Sequence, residues 1–316
     1  MSSEGKNQSI GIDIGGTNIS IGAVDKFGGI LQQWGFKTKE CPTVEVFQQK
    51  LEEAIGDYVR TNKNEILGIG VGAPNGNYFT GTIDFAPNLP WRGQIPLVDL
   101  LTKQFDRRVV LTNDANAAAI GEMIYGAAKG MKDFMMLTLG TGVGSGFVAN
   151  GELIYGHDGF AGELGHTTIV RNGRQCNCGK KGCLETYTSA TGIVRTVHEF
   201  LARDEKPSLL REVENVTSKD IYDAACKGDE LALEIFEYTG MLLGQSLADA
   251  VAITSPKAIV LFGGLAGAGK YIFEPTKRHM DENLLQIWKG KIRIIPSELK
   301  ESDAAVLGAS ALAWER

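Results

Sequence analysis

Two stretches of this chain share one pattern, and the recurrence narrows the possible folds more than any other feature. Residues 9–25 (SIGIDIGGTNISIGAVD) and 134–151 (FMMLTLGTGVGSGFVANG) each read as an apolar run, a turn of Gly and Thr, and a second apolar run, about 125 residues apart. In the first, Ile10, Ile12 and Ile14, then Ile19, Ile21 and Ala23, follow the period of two expected of strands, and Gly15-Gly16 suits a hairpin turn. Asp13 is an acid inside an apolar strand, just ahead of a turn whose N–H groups and Thr17 hydroxyl can hold phosphate. Two such hairpins predict an internally duplicated, nucleotide-binding α/β architecture. The second turn does not spell G-x-G-x-x-G, because Ser145 stands where the last glycine is required and no βαβ unit surrounds it, which argues against a dinucleotide fold.

At 316 residues the chain is long enough for two domains, each with its own core. Val44, Phe47, Leu51, Ile55, Tyr58 and Val59 fall at the spacing of a helix with one buried face, and a strand is expected over 66–74. The Pro- and Gly-rich loop over 85–93 carries Asn88 and Trp91. A short strand at 109–111 then leads into a helix over 115–125, with Asn113 or Asp114 as its cap. Asp114 is either only that cap or, standing where a strand gives way to a helix, a ligand-binding acid able to act as a general base. Later helices are expected over 189–203, after a Ser218 cap, over 229–253, and from a Ser302 cap to Ala313, whose small residues imply close packing. Residues 264–270 match G-x-x-x-x-G-K, but Tyr271 stands where a P-loop needs a hydroxyl for Mg²⁺, so Gly263-Gly264 reads instead as a turn that lets backbone approach an adenosine.

Three of the five cysteines, Cys176, Cys178 and Cys183, fall within eight residues, ten positions after His166. Three Cys and one His make a zinc ligand set, with Gly179 and Gly182 permitting the tight backbone around an ion; buried free thiols are the alternative. Four protein ligands leave no open position, so the expected metal is structural. It would hold Glu163, His166 and Glu185 in place.

Composition limits the partners. The net charge of −6 is spread along the chain, leaving no basic footprint for nucleic acid. The opening MSSEGKNQS is polar and no apolar run reaches the length of a membrane span. An odd cysteine count clustered with a histidine fits a metal site in a reducing compartment, and a cytoplasmic protein is expected.

Taken together, D-x-G-G-T-N (13–18), N-D-x-N (113–116), G-T-G-x-G-x-G (140–146), G-E-x-G-H (162–166) and C-x-C-G-x-x-G-C-x-E (176–185) resemble, in order and across nearly the whole chain, the ROK family of sugar kinases and sugar-responsive repressors. The likeness is greatest to its bacterial glucokinases. That resemblance implies an actin-like, ribonuclease-H-like α/β fold of two domains with a cleft between them: 1–117 plus 300–316, and 118–299. It implies ATP bound by Asp13, Gly15, Gly16, Thr17 and Asn18, by Thr141, Gly142 and Gly144, and by Gly263 and Gly264. It implies a hexose contacted by Asn88, Asn113, Asp114, Glu163, His166 and Glu185, Zn²⁺ on His166, Cys176, Cys178 and Cys183, and a homodimer. Asp114 is then the catalytic base for phosphoryl transfer to the sugar 6-hydroxyl, and Asp13 orders Mg²⁺ through water. Glucose is the expected substrate, with N-acetylglucosamine, N-acetylmannosamine or fructose as alternatives. A non-enzymatic regulator of this family carries a helix-turn-helix ahead of the core, whereas only about nine residues precede the first strand here.

Overall fold

The computed structural model describes residues 7–203 and 205–314, apart from the side chains of 301 and 302. In chain order the first elements are β1 (Gln8–Ile14), β2 (Asn18–Asp25), β3 (Ile30–Lys37), α1 (Val44–Thr61) and β4 (Ile66–Gly72). They are followed by β5 (Ile83–Asp84), β6 (Gln94–Ile95), α2 (Leu97–Phe105), β7 (Val109–Thr112) and α3 (Asp114–Tyr125). The middle of the chain holds β8 (Phe134–Leu139), β9 (Val143–Ala149), β10 (Glu152–Leu153), α4 (Glu185–Thr188), α5 (Ala190–Arg203), α6 (Ser218–Cys226) and α7 (Glu230–Thr254). The last elements are β11 (Ala258–Phe262), α8 (Lys270–Asn283), β12 (Arg293–Pro296) and α9 (Glu301–Leu312).

Two compact units result. The first comprises residues 1–131, 152–161 and 298–316, the second 132–151 and 162–297. The boundary expected at 117 falls inside α3, which stays whole in the first unit because it packs along α9. The first sheet runs β3-β2-β1-β4-β7, and the second contains β9-β8-β11-β12 in that order. In each, one antiparallel hairpin (β1/β2 or β8/β9) is extended by two parallel strands (β4 and β7, or β11 and β12). The duplication read from the two Gly/Thr turns is therefore a duplication of whole sheets, the actin-like α/β plan.

In the first unit, Phe47, Leu51, Ile55 and Val59 of α1 are buried with Ile10, Ile12, Ile14, Ile69 and Val71, as the helical spacing predicts. On the sheet's other face lies α9, and the approach is close. A Cβ on Gly11 would collide with the Val306 carbonyl and one on Gly70 with that of Ala309. Gly308 in turn leaves room only for the α3 backbone at Ala117 and Ala118. The small residues of the last helix are thus a packing requirement.

In the second unit α7 and α8 pack together through Gly240 and Gly244, where any side chain would meet Pro275 or the Thr276 backbone. Leu243, Leu247 and Val251 join Leu137, Ile259 and Leu261 in its core.

Two expected caps shift by a residue or two. The α6 cap is Thr217, whose side chain exchanges hydrogen bonds with Asp220; Ser218 would have had buried Ile221 in the position of that reciprocal partner. The last helix starts from Lys300, whose carbonyl accepts the Ala304 N–H at 2.8 Å, so Ser302 lies inside its first turn.

Candidate functional site

The first unit builds its part of the site from strand register. Asp13 of β1 pairs with Gly72 of β4, and Gly72 pairs with Thr112 of β7, so three parallel strands end in one row. Asp114 follows Thr112 by two residues and begins α3. The cap of that helix is Asn113, whose Oδ1 accepts the Asn116 N–H at 2.6 Å. The capping task therefore belongs to Asn113, and the Asp114 carboxylate accepts the adjacent Ala115 N–H at 2.9 Å.

Both acids have their pKa values raised. Burial, and then the Asp114 charge, push Asp13 up to about 7 from its ordinary 3.8. Solvent reaches Asp114 at its surface, yet the protein packed around its carboxyl raises its pKa too, an effect that the Ala115 N–H partly offsets. A row of acids whose ionised forms are this poorly compensated fits a divalent cation.

The turn between β1 and β2 closes with Gly15 N–H on the Asn18 carbonyl at 2.9 Å, leaving Gly16, Thr17 and Asn18 exposed. Asn88 belongs beside it, since a Cβ on Gly16 would lie 3.1 Å from the Asn88 carbonyl oxygen. Sequence reading passed over Lys37. The β2/β3 register sets it opposite Asn18, and its Nζ donates to Asn18 Oδ1 at 2.7 Å, bringing an ammonium to the turn. Only the pairing of an exposed edge strand reveals it.

The second unit repeats the arrangement. Gly140 N–H closes onto the Gly142 carbonyl at 3.1 Å, with Thr141 exposed at the tip. Gly144 N–H donates to Thr138 Oγ1 at 3.1 Å. Gly263 (φ 97°) and Gly264 follow β11 alongside this turn, and a Cβ on Gly263 would press on the Leu139 backbone. Lys270 of the P-loop-like run stands 5.2 Å over the Tyr271 ring, a cation–π contact.

Ser145, which broke the dinucleotide motif, has a structural task. Its hydroxyl donates to the Gly162 carbonyl and accepts the Leu164 N–H, pinning the chain on either side of exposed Glu163. Next along, Gly165 lies so close to the Val143 carbonyl that no side chain would fit.

His166, Cys176, Cys178 and Cys183 converge, one ligand atom from each lying within 4.8 Å of all the others. Cys178 and Cys183 sulfurs are 3.6 Å apart and His166 Nδ1 is 3.7 Å from Cys176 Sγ. Ligands about 2.3 Å from a tetrahedral centre stand about 3.8 Å from one another, whereas a disulfide needs about 2.05 Å. Burial pushes the Cys176 thiol up to about 12 and raises Cys183 as well, so a cation between them would be needed for these two to ionise together. Geometry and donor chemistry both fit a tetrahedral metal.

Glu185 sits between this cluster and the glycine turn. One carboxylate oxygen accepts the Val143 N–H at 3.2 Å, while the other is 3.4 Å from Cys176 Sγ and 4.0 Å from His166 Nδ1. Every residue expected at the site thus falls in one of two groups. Asp13, Gly15, Gly16, Thr17, Asn18, Asn88, Asn113 and Asp114 lie in the first unit, the others in the second.

Duplicated sheets, paired Gly/Thr turns and a His/Cys₃ cluster define the class: this chain belongs to the ROK family, whose model matches residues 9–316. Within it, the chain is similar to glucokinases. It is 35% identical over 315 residues to the glucokinase of Thermotoga maritima, covering 98% of each chain. It is 37% identical over 280 residues to that of Halalkalibacterium halodurans, covering 86% of this chain and 84% of that protein. A ROK family glucokinase from Streptomyces griseus, solved in complex with glucose and AMPPNP, is 32% identical with a TM-score of 0.78, over 97% of this chain and 99% of that one.

Proposed function

We propose that this protein is an ATP-dependent hexose kinase that transfers the γ-phosphoryl group of ATP to the 6-hydroxyl of glucose. The observation that carries the reading is the row in the first unit, where the phosphate-type turn, Asp13 and the uncapped carboxylate of Asp114 stand at the ends of adjoining strands. The glucose and AMPPNP bound by the Streptomyces griseus relative support both substrates.

Phosphoryl transfer asks the protein for positioning, charge neutralisation and a proton acceptor. Asp114 takes the proton of the attacking hydroxyl; its raised pKa brings it nearer to neutrality, where a general base works best. The turns at Gly15, Gly16, Thr17 and Asn18 and at Thr141, Gly142 and Gly144 hold phosphate through backbone N–H groups and hydroxyls, with Lys37 adding positive charge. The Gly263-Gly264 turn admits the adenosine. Asp13 would hold Mg²⁺ through water, and that ion supplies neutralisation of the nucleotide phosphates.

Asn88, Asn113, Asp114, Glu163, His166 and Glu185 are assigned to the sugar hydroxyls. Directional carboxylates and amides discriminate among hydroxyls in a way an apolar wall does not. His166, Cys176, Cys178 and Cys183 would hold a structural Zn²⁺ that fixes the loop. A reduced thiol set fits the cytoplasm; among the described residues no helix is long and apolar enough to cross a membrane. A homodimer rests on the family resemblance.

A panel of hexoses with ATP and Mg²⁺, compared by kcat/KM through coupled ADP release, tests the reading. Glucose is expected to rank first; no ADP release with any hexose would refute it.

A further inference from the structure

Arg174 stands two residues ahead of the first cysteine of the cluster, and its side chain is almost wholly buried, at 6% exposure. A guanidinium has five N–H donors, and here each has an acceptor. Nε and one Nη2 hydrogen form a bidentate pair with Glu199 at 2.7 and 2.6 Å. The second Nη2 hydrogen goes to Thr196 Oγ1 at 2.9 Å. Nη1 donates to the Thr186 carbonyl at 2.6 Å and the Gly192 carbonyl at 3.0 Å. The guanidinium also lies 4.2 Å over the Tyr187 ring, whose hydroxyl accepts the Arg174 backbone N–H at 2.9 Å.

What these bonds hold is α4, a four-residue turn that begins with Glu185. So short a helix does not sustain itself, because one turn fixes several dihedral angles for few internal bonds. Cys183, one of the four converging ligands, anchors α4 from one side, its carbonyl accepting the Thr186 N–H at 3.0 Å. Arg174 anchors it from the other side, at the carbonyl of the residue after Glu185, and ties it to α5 through Gly192, Thr196 and Glu199. The chain reversal between these anchors is itself closed by the Arg174 carbonyl, which accepts the Gly182 N–H at 2.8 Å.

We infer that Arg174 is a positioning residue for Glu185: a second pin on the sugar-binding acid, independent of the metal and bonded to neither substrate. The inference rests on the assignment of Glu185 to the sugar under the proposed function.

The test compares wild type with Arg174→Met, Arg174→Lys and Glu199→Gln for zinc content, thermal midpoint, glucose and ATP kinetics, and glucose Kd by calorimetry. Wild-type turnover of glucose comes first; its absence sinks the functional reading before Arg174 is judged. Given turnover, Arg174→Met is expected to keep its zinc while glucose KM and Kd rise about tenfold and kcat changes less than about threefold. Arg174→Lys, a point charge without the planar fork, should recover only part of that loss. Unchanged glucose KM and Kd, with only the thermal midpoint or kcat lowered, would show a merely structural residue and overturn the inference, as would loss of zinc in parallel with affinity. If Arg174→Met does not fold, Glu199→Gln decides on a half-exposed partner. A rise of about threefold in glucose KM with zinc retained supports the pin, and no rise overturns it.

Discussion

Asp13 and Asp114 flank one glycine: a Cβ on Gly72 would lie 3.7 Å from Asp13 Oδ1 and 3.7 Å from the Asp114 Cα. Both acids therefore border the same floor of backbone, and each has its own consequence for the protein.

Asp114 is expected to govern the chemical step. Asp114→Asn keeps the shape and loses the proton acceptor, so kcat should fall about 10²- to 10⁴-fold while calorimetry still detects glucose binding. Since the carboxyl must be ionised to act and burial raises its pKa, wild-type activity should fail on the acid side at higher pH than an ordinary carboxylate implies. A variant within a few-fold of wild type would exclude the base assignment.

For Asp13 the expected signature is in stability. Its pKa is about 7 in the folded protein against 3.8 ordinarily, so between those values the folded state holds a proton that the unfolded chain has released. Folding is then linked to proton uptake, and this contribution falls as pH rises through that window and levels off above it. Urea titrations of ligand-free wild type and Asp13→Asn should show the wild type losing ground to the variant between about pH 4 and pH 7 and no further loss above that. Parallel curves at all pH values would contradict the burial and pairing described.

The His/Cys₃ loop predicts a linked loss. Cys178→Ser removes an exposed but converging ligand, and metal analysis should find the ion gone. Glucose affinity is expected to weaken by more than about tenfold, because ligand loss frees the loop that carries His166 and Glu185. Full affinity in metal-free protein would show that the cluster does not support the sugar site.

Packing of the last helix offers a test remote from the chemistry. Gly70→Ala drives a methyl group into the Ala309 carbonyl, which the rigid contact of α9 with β4 cannot absorb without moving backbone. An overpacking cost of about 1–3 kcal/mol is expected in denaturant midpoints. A neutral result would mean that α9 shifts freely on the sheet.

Much of this was legible in the chain itself. Alternation around Gly15-Gly16 and Gly140-Thr141 announced both hairpins, the spacing from Phe47 to Val59 announced α1, and the Cys-x-Cys and Cys-x4-Cys pattern announced side chains that converge with His166. Such signals are local: strand and helix periods, turn residues and ligand spacing are written within about 20 neighbouring positions. The boundary expected at 117 shows the opposite case. A domain limit depends on what α3 packs against, and its partner α9 lies far along the chain.

The amino-acid sequence by itself determined the turns, the helix faces, the ligand set and the acids available for chemistry. Tertiary structure alone decided which of them meet. Register set Asp13 beside Gly72, with Thr112 on the far side of that glycine, and brought Lys37 to Asn18. Buried hydrogen bonding closed Arg174 onto α4. The reason is physical: strand pairing and burial join residues far apart in the chain, and no local spacing encodes which distant backbone will supply the partner.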